Sequence, residues 1–168
     1  MVSSPLLATV IDRLNNDEYE VKKEAAWVLA NILHGFAAEP NAYNAQRAAT
    51  LVQLGAIAPM VKMLEVNDAA MQKLMLEAVG TLLDAGETLQ KAKGGENPFL
   101  VAFDEAEGVD KLESLQTHTN EEVYQKAVDL LDKFFGEEGD DDENLLPSAA
   151  NGGFTFGAGA QPQAAFAF

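Results

Sequence analysis

Glu24, Trp27 and Asn31 are the residues of this 168-residue chain whose types and spacing best suit a recognition chemistry. They lie within Lys22-Lys23-Glu24-Ala25-Ala26-Trp27-Val28-Leu29-Ala30-Asn31 at i, i+3 and i+7, so a helix places all three on one face. Val21, Ala25, Val28 and Ile32 form an apolar stripe beside them. An aromatic, an amide and a carboxylate displayed together suit an extended basic peptide. The amide pairs with the peptide backbone, the indole lies along a Lys or Arg stem, and the carboxylate receives the charge. A helical tryptophan taken alone reads as core, but the place of Trp27 beside Glu24 and Asn31, off the apolar stripe, reverses that reading. A cation against an indole contributes about 0.5–2 kcal/mol and a net amide hydrogen bond about 0.5–1.5 kcal/mol. One such pocket binds weakly, and affinity requires several in register.

The rest of the composition points away from catalysis. His34 and His118 stand far apart with no cysteine to join them, which argues against a metal site. Gly94-Gly95 lacks the strand, spacing and helix of a phosphate loop. Ser114 near His118 implies no oriented triad. No cofactor and no enzyme activity are expected. The formal charge is −16, and Glu137 to Glu143 supply six acids with no base, leaving 21 acids against 11 bases elsewhere, or −10. Nucleic acid is disfavoured by such a surface, and basic protein segments are favoured. Zero cysteines fit a reducing compartment, cytosol or nucleus. The start, Met1-Val2-Ser3-Ser4-Pro5, has no basic region followed by an apolar one, and no apolar run is long enough for a bilayer.

The elements that must position the trio are helices. Helical periodicity runs from Leu6 to Phe135, without sustained two-residue alternation, so the fold is expected to be all-α. Leu6, Val10, Ile11 and Leu14 mark a first helix, and a second spans about Tyr19 to His34 with Gly35 as its C′ residue. Helices follow from Tyr43 to Leu54, from Ala58 to Leu64, and from the N-cap Asp68 to about Leu89. Lys91 to Pro98 reads as a loop. Phe99 to Ala106, Val109 to Leu115, and Asn120 to Phe135 with Asn120 as N-cap complete the set.

The helices repeat. Glu24, Trp27 and Asn31 align with Glu77, Gly80 and Asp84, then with Lys126, Asp129 and Lys133. Gly55-Ala56 matches Gly108-Val109 at the offset of 53 that separates Glu24 from Glu77. A three-helix unit slightly longer than the armadillo and HEAT periods results, with the Lys91 to Pro98 loop expected to account for the surplus. The chain reads as a helix pair, two full repeats and a tail, and an array starting mid-repeat exposes an apolar flank.

At this point the residues resemble the importin α family. The resemblance rests on Lys22 to Trp27 with Asn31, Leu54-Gly55-Ala56-Ile57-Ala58-Pro59, Tyr124-Gln125-Lys126-Ala127, Phe134-Phe135-Gly136-Glu137-Glu138, and the Phe- and Gly-rich end. It implies an armadillo-repeat right-handed α-solenoid fragment, with repeats over 1–136 and an acidic, then Phe/Gly/Ala-rich, disordered tail over 137–168. It implies a nuclear import adaptor for basic nuclear localisation signals, working in cytoplasm and nucleus, with Glu24, Trp27 and Asn31 in the minor signal site. Tyr124, Glu137, Glu138, Asp140, Asp141 and Asp142 would then belong to the surface used by an export receptor or a nucleoporin. The import carrier importin β would dock only through an N-terminal arm absent from this sequence. The apolar Ile32 to Pro40 segment departs from the small, Gly-rich turn usual after the Asn. An armadillo scaffold in signalling or cytoskeletal assembly is the alternative, separated by its lack of preference for Lys/Arg-rich peptides.

Overall fold

The computed structural model describes residues 5–136. Within them lie eight helices and no strand: α1 (Pro5–Asn16), α2 (Tyr19–Ala38), α3 (Ala42–Gln53), α4 (Ile57–Met63), α5 (Ala69–Lys93), α6 (Pro98–Glu105), α7 (Gly108–Leu115) and α8 (Glu121–Phe135). The arrangement is an all-α solenoid: α1 and α2 form a pair, and the triplets α3–α4–α5 and α6–α7–α8 follow. The long helix α5 is the axis of the packing, touching α2, α3, α4, α6 and α8. No helix among the described residues is long and apolar enough to cross a membrane. The tail expected over 137–168 lies outside the described residues.

Side-chain caps start several of the helices. Asp68 accepts from the Ala70 and Met71 N–H groups at 3.1 Å and starts α5. Asn120 accepts from Glu122 at 3.0 Å and Val123 at 3.2 Å and starts α8. Both satisfy N–H groups that would otherwise lack partners.

Two helix ends and one pair of turns differ from the sequence expectation. Helix α2 passes through Gly35 to Ala38. Gly35 is therefore no C′ residue: Phe36 one position on is buried, and the apolar Ile32 to Ala38 stretch is helix rather than turn. Helix α5 continues through Lys91 to Lys93. The surplus length of the middle repeat is thus mainly helix, and the connecting loop shortens to Gly94 to Asn97. Finally, the two matched glycines do different jobs. Gly55 takes φ +86° in the turn before α4, whereas before α7 the left-handed residue is Glu107 at φ 64°. Gly108 instead admits the Phe103 ring, whose atoms would lie 2.5 Å from an added Cβ.

The core shows the repeat directly. Ala25, Ala26, Leu29, Ala30, Leu33 and Phe36 of α2 are buried, and so are Ala78, Val79, Leu82, Leu83, Gly86 and Leu89 at the same offset on α5. Burying each of the larger side chains contributes about 1.5–3 kcal/mol. The expected stripe of Val21, Ala25, Val28 and Ile32 is not this face: Val21 and Val28 stay more than 40% exposed, at 42% and 43%. Leu6 of α1 is also exposed, at 66%.

Candidate peptide-binding face

Glu24, Trp27 and Asn31 are all exposed on α2, one helical face away from its buried row. The Trp27 indole is 49% exposed, large enough in area to cover an alkyl stem and too open to be a core residue. Glu24 makes no ion pair among the described residues, so its carboxylate is available to a visiting cation. The structure brings the three together as the i, i+3, i+7 spacing requires.

The start of α2 is tied to the start of α5. The Tyr19 hydroxyl donates to Asp68 Oδ2 at 2.9 Å, while Asp68 Oδ1 caps α5. The Lys23 ammonium lies 5.7 Å from the Tyr19 ring centroid, where its charge meets the face of the ring. Partial burial of the phenol, then its bond to Asp68, pushes the Tyr19 pKa up to about 12. The Asp68 carboxyl lies below its ordinary value, first because it accepts from the Met71 N–H and next because it accepts from Tyr19. This clasp fixes the helix carrying the trio against the next helix of the same face.

Beyond the trio the aligned positions lie across an open cleft of about 320 Å³ between α5 and α8. Gly80 stands where α2 carries Trp27, and the nearest neighbour to a Cβ there is Leu130 Cδ2 at 3.1 Å. The carboxylates at the Glu24 and Asn31 positions are already paired: Lys126 Nζ is 2.7 Å from Glu77 Oε1, and Lys133 Nζ is 2.5 Å from Asp84 Oδ1. Lys73 and Glu122 form a third bridge of opposite sense, which holds the Glu122 carboxyl below its ordinary value. These pairs join residues 49 apart and were not visible in the sequence, where the alignment marked only that the positions correspond. His34, from α2, lines the edge of the same cleft. His118 serves locally, its Nδ1 accepting the Asn120 N–H at 2.9 Å.

Sequence reasoning missed Asn97, which it placed in a loop. Its side chain is buried, donates to the Leu83 carbonyl at 3.0 Å and accepts the Phe99 N–H at 3.0 Å, fastening α6 to α5 beside Gly86. The signal was Asn97-Pro98 ahead of an apolar run, an N-cap followed by a first-turn proline. Of the second predicted surface, Tyr124 lies on α8 and is 39% exposed. Glu137, Glu138, Asp140, Asp141 and Asp142 lie outside the described residues.

Several known proteins are similar to this chain. The family described as "Atypical Arm repeat" matches residues 97–148. Importin subunit alpha-3 of Arabidopsis thaliana is 34% identical over 120 residues, covering 70% of this chain and 23% of its own length. Importin subunit alpha-1b of Oryza sativa subsp. japonica is 37% identical over 110 residues, covering 64% of this chain and 20% of its own length. The chain thus spans less than a quarter of these relatives, at 23% and 20%. A designed armadillo repeat protein solved in complex with peptide (KR)4 matches 77% of this chain and 64% of that one, at 24% identity and a TM-score of 0.38. The relatives support an armadillo-repeat, importin α-like family for this chain, and they are importin subunits rather than enzymes, consistent with a non-enzymatic protein.

Proposed function

We propose that this chain is part of an importin α-like adaptor, in which Glu24, Trp27 and Asn31 recognise a Lys/Arg-rich nuclear localisation signal. One observation carries the reading: a half-exposed indole, an exposed amide and an unpaired carboxylate share one face of α2. The indole accepts an alkyl stem with its cation, Asn31 fixes the peptide backbone, and Glu24 takes the charge. The reading extends to repeats over 1–136 followed by a separate tail over 137–168. Exposed Tyr124 and the acids Glu137, Glu138, Asp140, Asp141 and Asp142 would serve an export receptor or a nucleoporin. Such an adaptor works in cytoplasm and nucleus. The sequence relatives support this role through their importin α names.

Trp27→Ala tests it. Titration with a basic signal peptide is expected to show affinity about tenfold weaker than the parent, the upper part of what an indole contact supplies. Helicity and melting temperature should change little, because nearly half of the indole already meets solvent, at 49% exposure. Equal affinity would refute the pocket, and a large fall in melting temperature would return Trp27 to a core role.

A further inference from the structure

We propose that Lys126 and Lys133 of α8 act as internal stand-ins for a basic ligand, closing the acidic positions of α5 and so ending the basic register at the α2 pocket. The inference rests on the peptide reading above and deepens it.

By position, Glu77 and Asp84 are the next receptors on the face, corresponding to Glu24 and Asn31. A second step made of two carboxylates would attract cations more strongly than the first. Instead each carboxylate holds a lysine of the same chain, Lys126 at 2.7 Å and Lys133 at 2.5 Å. The lysines occupy the corresponding positions of α8, so packing of the two helices delivers each ammonium at the level of its acid. Lys133 is steadied further by the Phe134 ring, 4.9 Å from its ammonium. The third acid of the cleft, Asp129, accepts from Gln125 Nε2 at 2.8 Å.

The bridges are half exposed and screened, so their effect on fold stability is small. Their effect on a ligand is different. A peptide lysine reaching Glu77 meets the Lys126 ammonium, and must either displace it or bear its repulsion. The missing indole at Gly80 removes the apolar contact that would compensate. The two steps therefore differ in charge available to a ligand, not in helix architecture.

The test uses the whole chain and two peptides: a short basic peptide, and the same peptide extended by two lysines at either end. The parent should bind long and short forms within about twofold of each other. In Lys126→Gln/Lys133→Gln, extension should strengthen binding about threefold for each freed carboxylate, about tenfold together at low salt, and the gain should vanish at high salt. Lys73→Gln frees Glu122, which lies outside the aligned positions, and should leave the parent's behaviour unchanged. Circular dichroism checks that each variant is folded, and single substitutions should give the partial gains. An equal gain from extension in parent and double variant, or none in the folded variant, overturns the inference alone. Failure of the short peptide to bind the parent overturns the peptide reading and this inference with it.

Discussion

The α2 face and the α5–α8 cleft are two copies of one helix environment with different surfaces. Their buried residues match at an offset of 53, from Ala25 with Ala78 to Phe36 with Leu89. Their exposed residues do not: Trp27 becomes Gly80, Asn31 becomes Asp84, and the shared acid is open in one copy and bridged in the other. Stacking requires only that each repeat cover its neighbour, so the core pattern is held while the solvent face is free to change. One copy keeps an aromatic platform and an unpaired carboxylate. The other has its carboxylates paired with lysines of α8.

Disturbing the second region should leave the first intact. Gly108→Val, on α7 where that helix packs against α8 rather than in the cleft itself, has the largest expected effect, because its Cβ would meet the Phe103 ring at 2.5 Å in a fully packed site. Destabilisation by about 3 kcal/mol is expected from overpacking, read by chemical denaturation. Loss of the α5–α8 bridges in this variant, with peptide binding to α2 retained, would sharpen the contrast between the regions. Loss of both together would break it.

The clasp at the other end gives a smaller, pH-dependent effect. Tyr19 has a raised pKa, so its contribution is complete below the ordinary tyrosine value of 10.0 and lost as pH rises through about 12. Asp68 has a lowered pKa, so its contribution is present above the ordinary aspartate value of 3.8 and lost as pH falls through its lower folded value. Tyr19→Phe should cost less than about 1 kcal/mol near neutrality, since the bond is exposed to solvent. It should also remove the alkaline part of this dependence in melting curves. An unchanged alkaline limb would show that the bond does not tie α2 to α5.

Gly80→Ala has the smallest expected effect. Helix propensity favours alanine by up to about 1 kcal/mol, against a small shift of Leu130, whose Cδ2 would lie 3.1 Å from the new Cβ. A net change within about 0.5 kcal/mol is expected. A loss of several kcal/mol would mean that the floor of the cleft has no room for any side chain.

Much of this was legible in the residues. The 3.6-residue pattern revealed the helices, Asp68 and Asn120 revealed two of their starts, and the alignment of Glu24 with Glu77 revealed the repeat. The face of Trp27 was legible because three informative residues share one spacing. The buried side of α2 was misread because alanines form much of it: Ala25, Ala26 and Ala30 signal a close packing surface weakly, while Val21 and Val28 announce an apolar row that faces outward. The end of α2 was misread because Gly35 suggests a stop, and only the packing of Phe36 shows why the helix continues. The lysine bridges depend on which helices become neighbours, information held in tertiary packing and not in local pattern.

Trp27 is the sole tryptophan of the chain, so its fluorescence reports directly on the proposed pocket. Addition of a Lys/Arg-rich peptide should change its emission in a saturable manner, with the apparent affinity falling as salt rises and weakening in Glu24→Gln and Asn31→Ala. Emission that stays constant while the peptide binds elsewhere, or a response unaltered by both substitutions, would contradict the assignment of this face as the peptide site.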